Sequence, residues 1–249
     1  MSTAFGSRGV ANAPPPTPST KLLHHWPCII GTDDDVLVPQ STLGAPELAL
    51  QGLPATGLGA TPGWLTFNHV TPATDTQAVV SAAGIDNFVE TDWHIWSLWV
   101  RSYETANGRR LLANTNNPGA GIIIFTRVAG ERLRCSFELP TGSEYEIVLN
   151  NTPAAPPAFH VAVVLDGATH NLRTYKNGLL VANTTAAGLV SATEDSIFRL
   201  GGAFASYCNC QIRDVHIYGG HGAAPLNLGQ IVGWLSSRVY EPLPASILP

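Results

Sequence analysis

The chain has 249 residues, of which 45% are hydrophobic and only 12% are charged, and its formal net charge is −5. This length fits one large all-β domain or two small ones, with enough apolar residues for a sizeable core. The acidic balance argues against nucleic-acid binding. The sequence has no apolar run of 18 residues, so a membrane span is not expected.

Residues 1–20 form a low-complexity, proline-rich arm. An extended polyproline form is favoured there by Pro14, Pro15, Pro16 and Pro18. The arm is either a loose tail or a peg that docks on a neighbouring subunit, and we expect the peg, with Arg8 and these prolines as its contacts. Because the arm lacks an uninterrupted apolar segment, it does not resemble a secretory signal. A role outside the cell would then need another carrier, such as a virus particle.

Short apolar runs begin near residue 21 and are separated by Gly, Pro, Asn or Asp. Their spacing predicts an all-β fold, a two-sheet antiparallel sandwich of the jelly-roll type. The predicted strands are LLHHWPCII (22–30), WLTFNHV (64–70), AVVSAAG (78–84), WHIWSLWVR (93–101), RLLANT (110–115), GIIIFTRV (121–128), RLRCSFEL (132–139), YEIVLN (145–150), HVAVVLD (160–166), LRTYKNG (172–178), LLVANTT (179–185), IFRLGG (197–202) and CQIRDVHIY (210–218).

A single helix is predicted near residues 226–239. Apolar residues recur there on one face at helical spacing, at Leu228, Ile231, Val232, Leu235 and Val239. The chain is therefore expected to comprise an extended arm (1–20), a sandwich (21–225), and a helix with an extended tail packed on the same domain (226–249).

The segment ETDWHIWSLWV (90–100) carries three of the six tryptophans. Apolar residues fall on both of its faces, which predicts an inner strand of the sandwich. We expect Trp96 and Leu98 to be deeply buried. Glu90 is expected to be exposed without a carboxylate partner, and Asp92 to meet solvent where the strand begins. Alternation assigns Trp93, Ile95, Ser97 and Trp99 to one face, and Asp92, His94, Trp96, Leu98 and Val100 to the other.

The stretch from 159 to 190 reads as consecutive hairpins, with turns at Asp166-Gly167 and Asn177-Gly178. Asn and Gly both tolerate a positive φ, so the second pair is a strong hairpin signal. Together with segments elsewhere, this stretch closely resembles the concanavalin A-like, laminin-G-type jelly-roll superfamily. The matching segments are Phe159–Gly167, Tyr175–Val181, Arg199–Gly202, Gln211–Tyr218, SLWVR (97–101), RLLAN (110–114) and LLHHWP (22–27). The resemblance implies the fold over residues 21–240 and is not specific for function.

The same superfamily includes glycoside hydrolases with two glutamates and an aspartate on one strand, in the pattern E-x-D-x-x-E. Retaining hydrolysis needs two carboxylates about 5 Å apart. Glu90 and Asp92 match the first half of that pattern, but residue 95 is Ile95 and no acidic residue follows before Glu104. We therefore expect no enzymatic activity, and a glycoside hydrolase is the least favoured of three functions considered.

Aromatic and amide side chains on loops are candidates for sugar binding. The competing interpretation of each such residue is an ordinary turn residue or an exposed side chain without a binding role. The glycan-binding candidates are Trp64, Asn114, Asn116, Asn117, Tyr207 and Asn209. Asp33, Asp34 and Asp35 form the only acidic run, a weak calcium candidate that is more typical of a solvated loop. No cofactor is expected.

The four cysteines are Cys28, Cys135, Cys208 and Cys210, and they are predicted to be buried free thiols. A disulfide such as Cys28–Cys135 stays an alternative, since sequence alone does not decide pairing. The histidines are scattered, so we expect surface or hydrogen-bonded core residues and no metal site.

Small domains of this type resemble accessory proteins of tailed bacteriophages, such as capsid decoration proteins, head fibres and tail-fibre components. The leading hypothesis is accordingly a virion-associated structural or adhesion protein anchored by its arm. Its partners would be other virion proteins or copies of itself. The alternative is a lectin-like module, virion-borne or cell-surface, that recognises bacterial surface glycans.

Overall fold

A computed structural model of the chain describes residues 21–26, 37–38, 48–51, 64–67, 77–79, 92–103, 108–114, 121–126, 131–138, 144–150, 158–185, 198–203, 206–220 and 228–237. The strands in this part are β1 (Lys21–Trp26), β2 (Leu37–Val38), β3 (Leu48–Gln51), β4 (Leu65–Phe67), β5 (Gln77–Val79), β6 (Trp93–Tyr103), β7 (Arg110–Asn114), β8 (Gly121–Thr126), β9 (Glu131–Glu138), β10 (Glu144–Asn150), β11 (Phe159–Asp166), β12 (Asn171–Lys176), β13 (Leu179–Thr185), β14 (Phe198–Leu200), β15 (Gly202–Ala203), β16 (Ser206–Tyr207) and β17 (Cys210–Gly220). One helix, α1, spans Leu228–Ser237.

The strands form two large antiparallel sheets. The seven-stranded sheet has the order β1-β17-β6-β11-β12-β13, with β4 also paired to β17. The eight-stranded sheet has the order β10-β9-β8-β7-β14-β5-β3-β2, and β15 pairs with β16 in a small hairpin. This arrangement confirms the predicted sandwich. The prediction missed β2, β3 and β16 and did not separate β15 from β14, because these strands are too short to show alternation.

Strand β6 lies at the centre of the seven-stranded sheet, between β17 and β11. Trp93 and Ile95 pack in one cluster with Val232 and Leu235 of α1, so the helix covers this face of the sheet. We call it the outer face. The cluster also contains Ala162, Val164, Tyr175, Tyr218, Leu228 and Ile231.

Trp96 and Leu98 alternate with these residues and therefore point to the opposite face, towards the eight-stranded sheet. Both are fully buried, which confirms the prediction for them. Burying a side chain of this size contributes about 2–3 kcal/mol. The expectation for Asp92 was wrong, because its side chain is only 8% exposed. Alternation places Asp92 on the face of Trp96 and Leu98, which the eight-stranded sheet covers, so this end of the strand is not open to solvent. Glu90 lies outside the described residues.

The hairpin between β12 and β13 turns at Asn177-Gly178, as predicted. Their φ angles are 49° and 77°, the left-handed conformation that this turn requires. The turn is also tied to the start of β11, because His160 N–H donates to Asn177 Oδ1 at 2.8 Å and Asn177 N–H donates to His160 C=O at 2.9 Å. The Asp166-Gly167 turn is confirmed too, with Thr169 N–H donating to Asp166 C=O at 3.3 Å.

Helix α1 occupies the predicted position, with Leu228, Ile231, Val232 and Leu235 buried against the sheet. Its last turn reaches the β12–β13 hairpin. A Cβ added to Gly178 would lie 2.6 Å from Ser236 Oγ and 3.3 Å from Gly233 Cα. Glycine at position 178 therefore permits both the turn and the close approach of the helix.

The described cysteines, Cys135, Cys208 and Cys210, are buried free thiols, as predicted. The alternative of a Cys28–Cys135 disulfide was wrong, because Cys135 is not bonded to another cysteine. Burial raises the pKa of the Cys135 thiol well above its usual value. The thiol is therefore protonated and unreactive in the folded chain. Cys28 lies outside the described residues.

Candidate functional site

The structure disperses the residues predicted to bind a glycan. Asn114 ends β7, Tyr207 lies in β16, and Asn209 is an exposed residue just before β17. Trp64 precedes β4. Leu65 pairs with Ile212 and Phe67 with Cys210, so Trp64 and Asn209 lie beyond opposite ends of this short ladder. They are separated by about 13 Å along the strand and do not share one pocket.

Trp64 is part of a packed cluster and is not an open platform. Its side chain is 9% exposed and packs against Trp99, with Ala158 beside them. The Arg101 guanidinium lies over the Trp64 ring, 6.0 Å from its centroid. This is a cation–π contact, which favours a fixed position for an otherwise exposed arginine.

A strip of polar side chains extends from this cluster along β4 and β17. Thr66 lies opposite Gln211, and Gln211 Nε2 donates to Thr66 Oγ1 at 3.3 Å. Arg101 projects from a bulge, since Val100 pairs with Ile212 while Ser102 pairs with Gln211. We call this surface the β4 strip, defined as Trp64, Thr66, Arg101, Asn209 and Gln211.

Sequence reasoning found Trp64 and Asn209 of the β4 strip and missed the other three. Alternation cannot reveal the bulge that exposes Arg101, because the bulge depends on pairing with a strand more than a hundred residues away. Gln211 and Thr66 carry no distinctive motif and acquire a role only by facing each other.

Next to the β4 strip, the outer face holds a second group of polar residues beneath α1. His160 pairs with Trp99, and its ring lies 5.5 Å from the Trp99 ring. Trp99 Nε1 in turn donates to Leu235 C=O of the helix at 3.5 Å. Ser97 is the diagonal neighbour of His160 on the same face, and His216 pairs directly with Ser97. All of these side chains are buried.

Asp214 completes this buried group from a strained position. It lies in a bulge of β17 between Arg213 and His216, with a φ of 47°. Its carboxylate forms a salt bridge with Arg213 at 3.1 Å, and its backbone oxygen lies 3.1 Å from His216 Nδ1. Aspartate tolerates the left-handed conformation better than most residues, so this sequence position suits the bulge.

His160 has no hydrogen-bond partner for either ring nitrogen among the described residues. The expectation of a surface or hydrogen-bonded core histidine is therefore wrong at this position. Burial lowers the pKa of His160 to about 3, and the nearby negative charge of Asp214 offsets only part of that effect. The imidazole is accordingly neutral at physiological pH. Ser97 Oγ likewise lacks a partner in the described part of the chain.

The combination of Ser97, His160 and Asp214 resembles a hydrolytic triad in composition but not in geometry. A nucleophile must be hydrogen-bonded to its base and open to substrate. Ser97 Oγ makes no hydrogen bond to His160, and both side chains are closed off from solvent. The arrangement therefore supports the packing of α1 on the sheet, whereas the neighbouring β4 strip is exposed to solvent at Arg101 and Asn209.

Among the described residues, no three His, Cys, Asp or Glu side chains are grouped to hold a metal ion. The calcium candidates Asp33, Asp34 and Asp35 lie outside that part of the chain, as do Asn116, Asn117 and the whole arm with Arg8, Pro14, Pro15, Pro16 and Pro18. No helix within the described ranges is long and apolar enough to cross a membrane.

The chain belongs to the concanavalin A-like lectin/glucanases superfamily, whose family model matches residues 74–222. The match covers more than half of the sequence and includes β5 to β17 together with most of the β4 strip. The sequence matches none of the curated proteins with which it was compared.

Solved structures with low sequence identity share the fold. Domain 4 of AbnA, a GH43 extracellular arabinanase from Geobacillus stearothermophilus, in complex with arabinotriose, is 16% identical with a TM-score of 0.57. The match covers 88% of this chain and 99% of that one.

The binding domain of Paraclostridial Mosquitocidal Protein 1 is 15% identical with a TM-score of 0.60, and the match covers 86% of this chain and 51% of that one. A botulinum neurotoxin type C structure is 13% identical with a TM-score of 0.63, covering 90% and 52%. The chain thus spans about half of the length of the toxin domains it matches.

Proposed function

We propose that this protein is a non-catalytic binding module that recognises a glycan through the β4 strip. The observation that carries the proposal is the placement of Arg101, Gln211 and Asn209 on one accessible surface beside a fixed tryptophan. Helix α1 covers the outer face over β6, β11 and β12, and the β4 strip lies beside the covered area.

The chemistry of the strip suits a sugar with an acidic group. Amide and hydroxyl side chains exchange hydrogen bonds with sugar hydroxyls, and a guanidinium binds a carboxylate in bidentate fashion. Arg101 is the charged group of the strip, and its position over Trp64 limits the entropy lost when a ligand binds. Sialylated or uronic-acid glycans are therefore the favoured class.

The structural relatives support a binding role. Domain 4 of AbnA was solved with arabinotriose, and cell entry of botulinum neurotoxin type C depends on interaction with two ganglioside molecules. Another relative is a neurotoxin binding domain in complex with rat synaptotagmin II, so the same fold also accommodates a protein receptor.

A glycan array with the purified protein tests the proposal. We expect binding to a set of acidic glycans, and at least about a tenfold loss of affinity in Arg101→Gln, which removes one charge-assisted contact. Arg173→Gln is the matched control, because Arg173 pairs with Asp166 at 3.5 Å on a different part of the sheet. Equal binding by the wild type and Arg101→Gln, or the release of sugar fragments, would contradict the proposal.

The setting that we propose is a virus particle, with the chain as a structural or adhesion component of a tailed bacteriophage. The proline-rich arm at residues 1–20 and the low charge of the sequence support an anchored component of a large assembly. The expected partners are other virion proteins or copies of the chain. Mass spectrometry of purified particles is the test, and the absence of the chain from every particle preparation would refute this setting.

A further inference from the structure

Strand β13 ends the seven-stranded sheet, and β12 is the strand to which it pairs within the described part of the chain. Three consecutive aliphatic side chains at its start are open to solvent. Leu179 is 72% exposed, Leu180 is 53% exposed and Val181 is 47% exposed. The remaining residues of the strand, from Ala182 to Thr185, are smaller or polar.

The exposed side chains lie on both faces of the strand. Leu180 pairs with Tyr175, which packs towards α1, whereas Leu179 pairs with Lys176 and points to the other face. A partner docking on one face would cover only one of the two leucines. A strand that extends the sheet would cover both, and it would also bond the outward-facing N–H and C=O groups of β13.

The strand lacks two of the usual devices that protect a sheet edge, charged residues and proline. Natural edge strands carry charged residues or proline that discourage pairing with another chain. The sequence LLVANTT contains neither. Its irregularity is a bulge at Val181, where Thr174 pairs with Ala182 and Tyr175 with Leu180.

We propose that β13 pairs antiparallel with β13 of a second copy of this chain, about a two-fold axis at Leu180. In this register Leu180 opposes Leu180 of the second copy, and Leu179 opposes its Val181. The exposed trio is therefore complementary to itself, and no like charges face each other. A lipid bilayer is a poorer partner, because the backbone groups of an open sheet edge would stay unsatisfied in hydrocarbon.

Sedimentation equilibrium of the full chain over a wide concentration range tests the proposal. The contact is confined to one strand edge, so we expect a weak dimer with a dissociation constant on the order of 10⁻⁵ M. Leu180→Lys places two like charges directly opposite each other and should weaken association at least about tenfold. Thr185→Lys, which adds the same charge on the same strand outside the overlap, should leave the dimer intact.

A charge swap separates loss of pairing from loss of folding. Leu180→Lys and Leu180→Glu should each be monomeric with melting temperatures near that of the wild type, and an equimolar mixture should dimerise again. Hydrogen exchange of the β13 amides should slow in the wild type as its concentration rises. A wild-type chain that stays monomeric, or a mixture that does not associate, would overturn the proposal, as would a dimer that Leu180→Lys does not weaken. Binding of the monomer to lipid vesicles through Leu180 would likewise overturn it and assign the edge to a membrane.

Discussion

Strands β11 and β13 belong to the same sheet and are separated by β12 alone, yet similar aliphatic residues meet opposite environments in them. Every residue of β11 is buried, because α1 covers one face and the eight-stranded sheet lies against the other. The start of β13 lies beyond that cover, so its leucines and valine remain exposed. The difference shows that the position of a strand in the sheet, rather than its composition, decides what its apolar residues do.

The largest expected effect on stability comes from truncating a leucine in β11, and the same truncation in β13 serves as its comparison. Leu165→Ala in β11 should lower the free energy of unfolding by about 2–5 kcal/mol, because it leaves a cavity in a fully buried site. Leu179→Ala in β13 should change it by less than about 0.5 kcal/mol, because the side chain is mostly solvated. Urea unfolding of both variants measures the contrast, and similar losses in the two would contradict the assigned burial.

The buried histidine of β11 provides a pH-dependent contrast of intermediate size. The folded-state pKa of His160 is about 3, below the ordinary value of about 6.5 in the unfolded chain, so the unfolded state binds more protons between these values. The stability that the neutral His160 side chain permits is fully present above pH 6.5 and is lost as the pH falls towards 3. At pH 5 the wild type should have lost about 2 kcal/mol from this group.

His160→Leu should remove this loss of stability. The free energy of unfolding of the variant should therefore rise relative to that of the wild type as the pH is lowered from 7 to 5. Ser97→Ala is the control, since it alters the same buried group without removing the titrating side chain. Denaturant unfolding at several pH values measures the difference. A constant gap between wild type and His160→Leu across this range would show that His160 titrates normally in the folded chain.

The smallest effect concerns the turn that joins β12 to β13. Gly178→Ala and Gly108→Ala both place a Cβ on a residue with φ near 75°, which costs about 1–2 kcal/mol. Only Gly178 also faces Ser236, whose hydroxyl donates to Gly233 C=O at 2.7 Å, while the space around Gly108 is open. Gly178→Ala should therefore cost about 1 kcal/mol more.

Thermal unfolding of the two glycine variants checks this difference. The double variant Gly178→Ala/Ser236→Ala should recover part of the extra cost, since the hydroxyl that meets the new Cβ is removed. Equal destabilisation by the two single substitutions would mean that α1 does not rest on the turn.

Much of the fold could be predicted from the sequence because its determinants are local. Alternation in β6 and the Asn177-Gly178 turn depend on neighbouring residues, and both are confirmed by the structure. The surroundings of Trp64 could not be predicted, since its cover comes from Trp99 and Arg101 on another strand. The burial of the His160 side chain likewise depends on a distant element, because α1 covers it. The sequence of α1 does not indicate on which face of the sheet the helix packs.

Strand β1, the earliest described strand, lies beside β17, the last one, and β17 in turn lies beside β6. A chain synthesised from its N-terminus exposes the edges of β1 and β6 until β17 has been made. Closing such long loops is slow, and the waiting strands are open to wrong partners in the meantime. Folding of this protein should therefore begin late in synthesis, and truncation before β17 should yield an aggregating chain instead of a smaller sandwich.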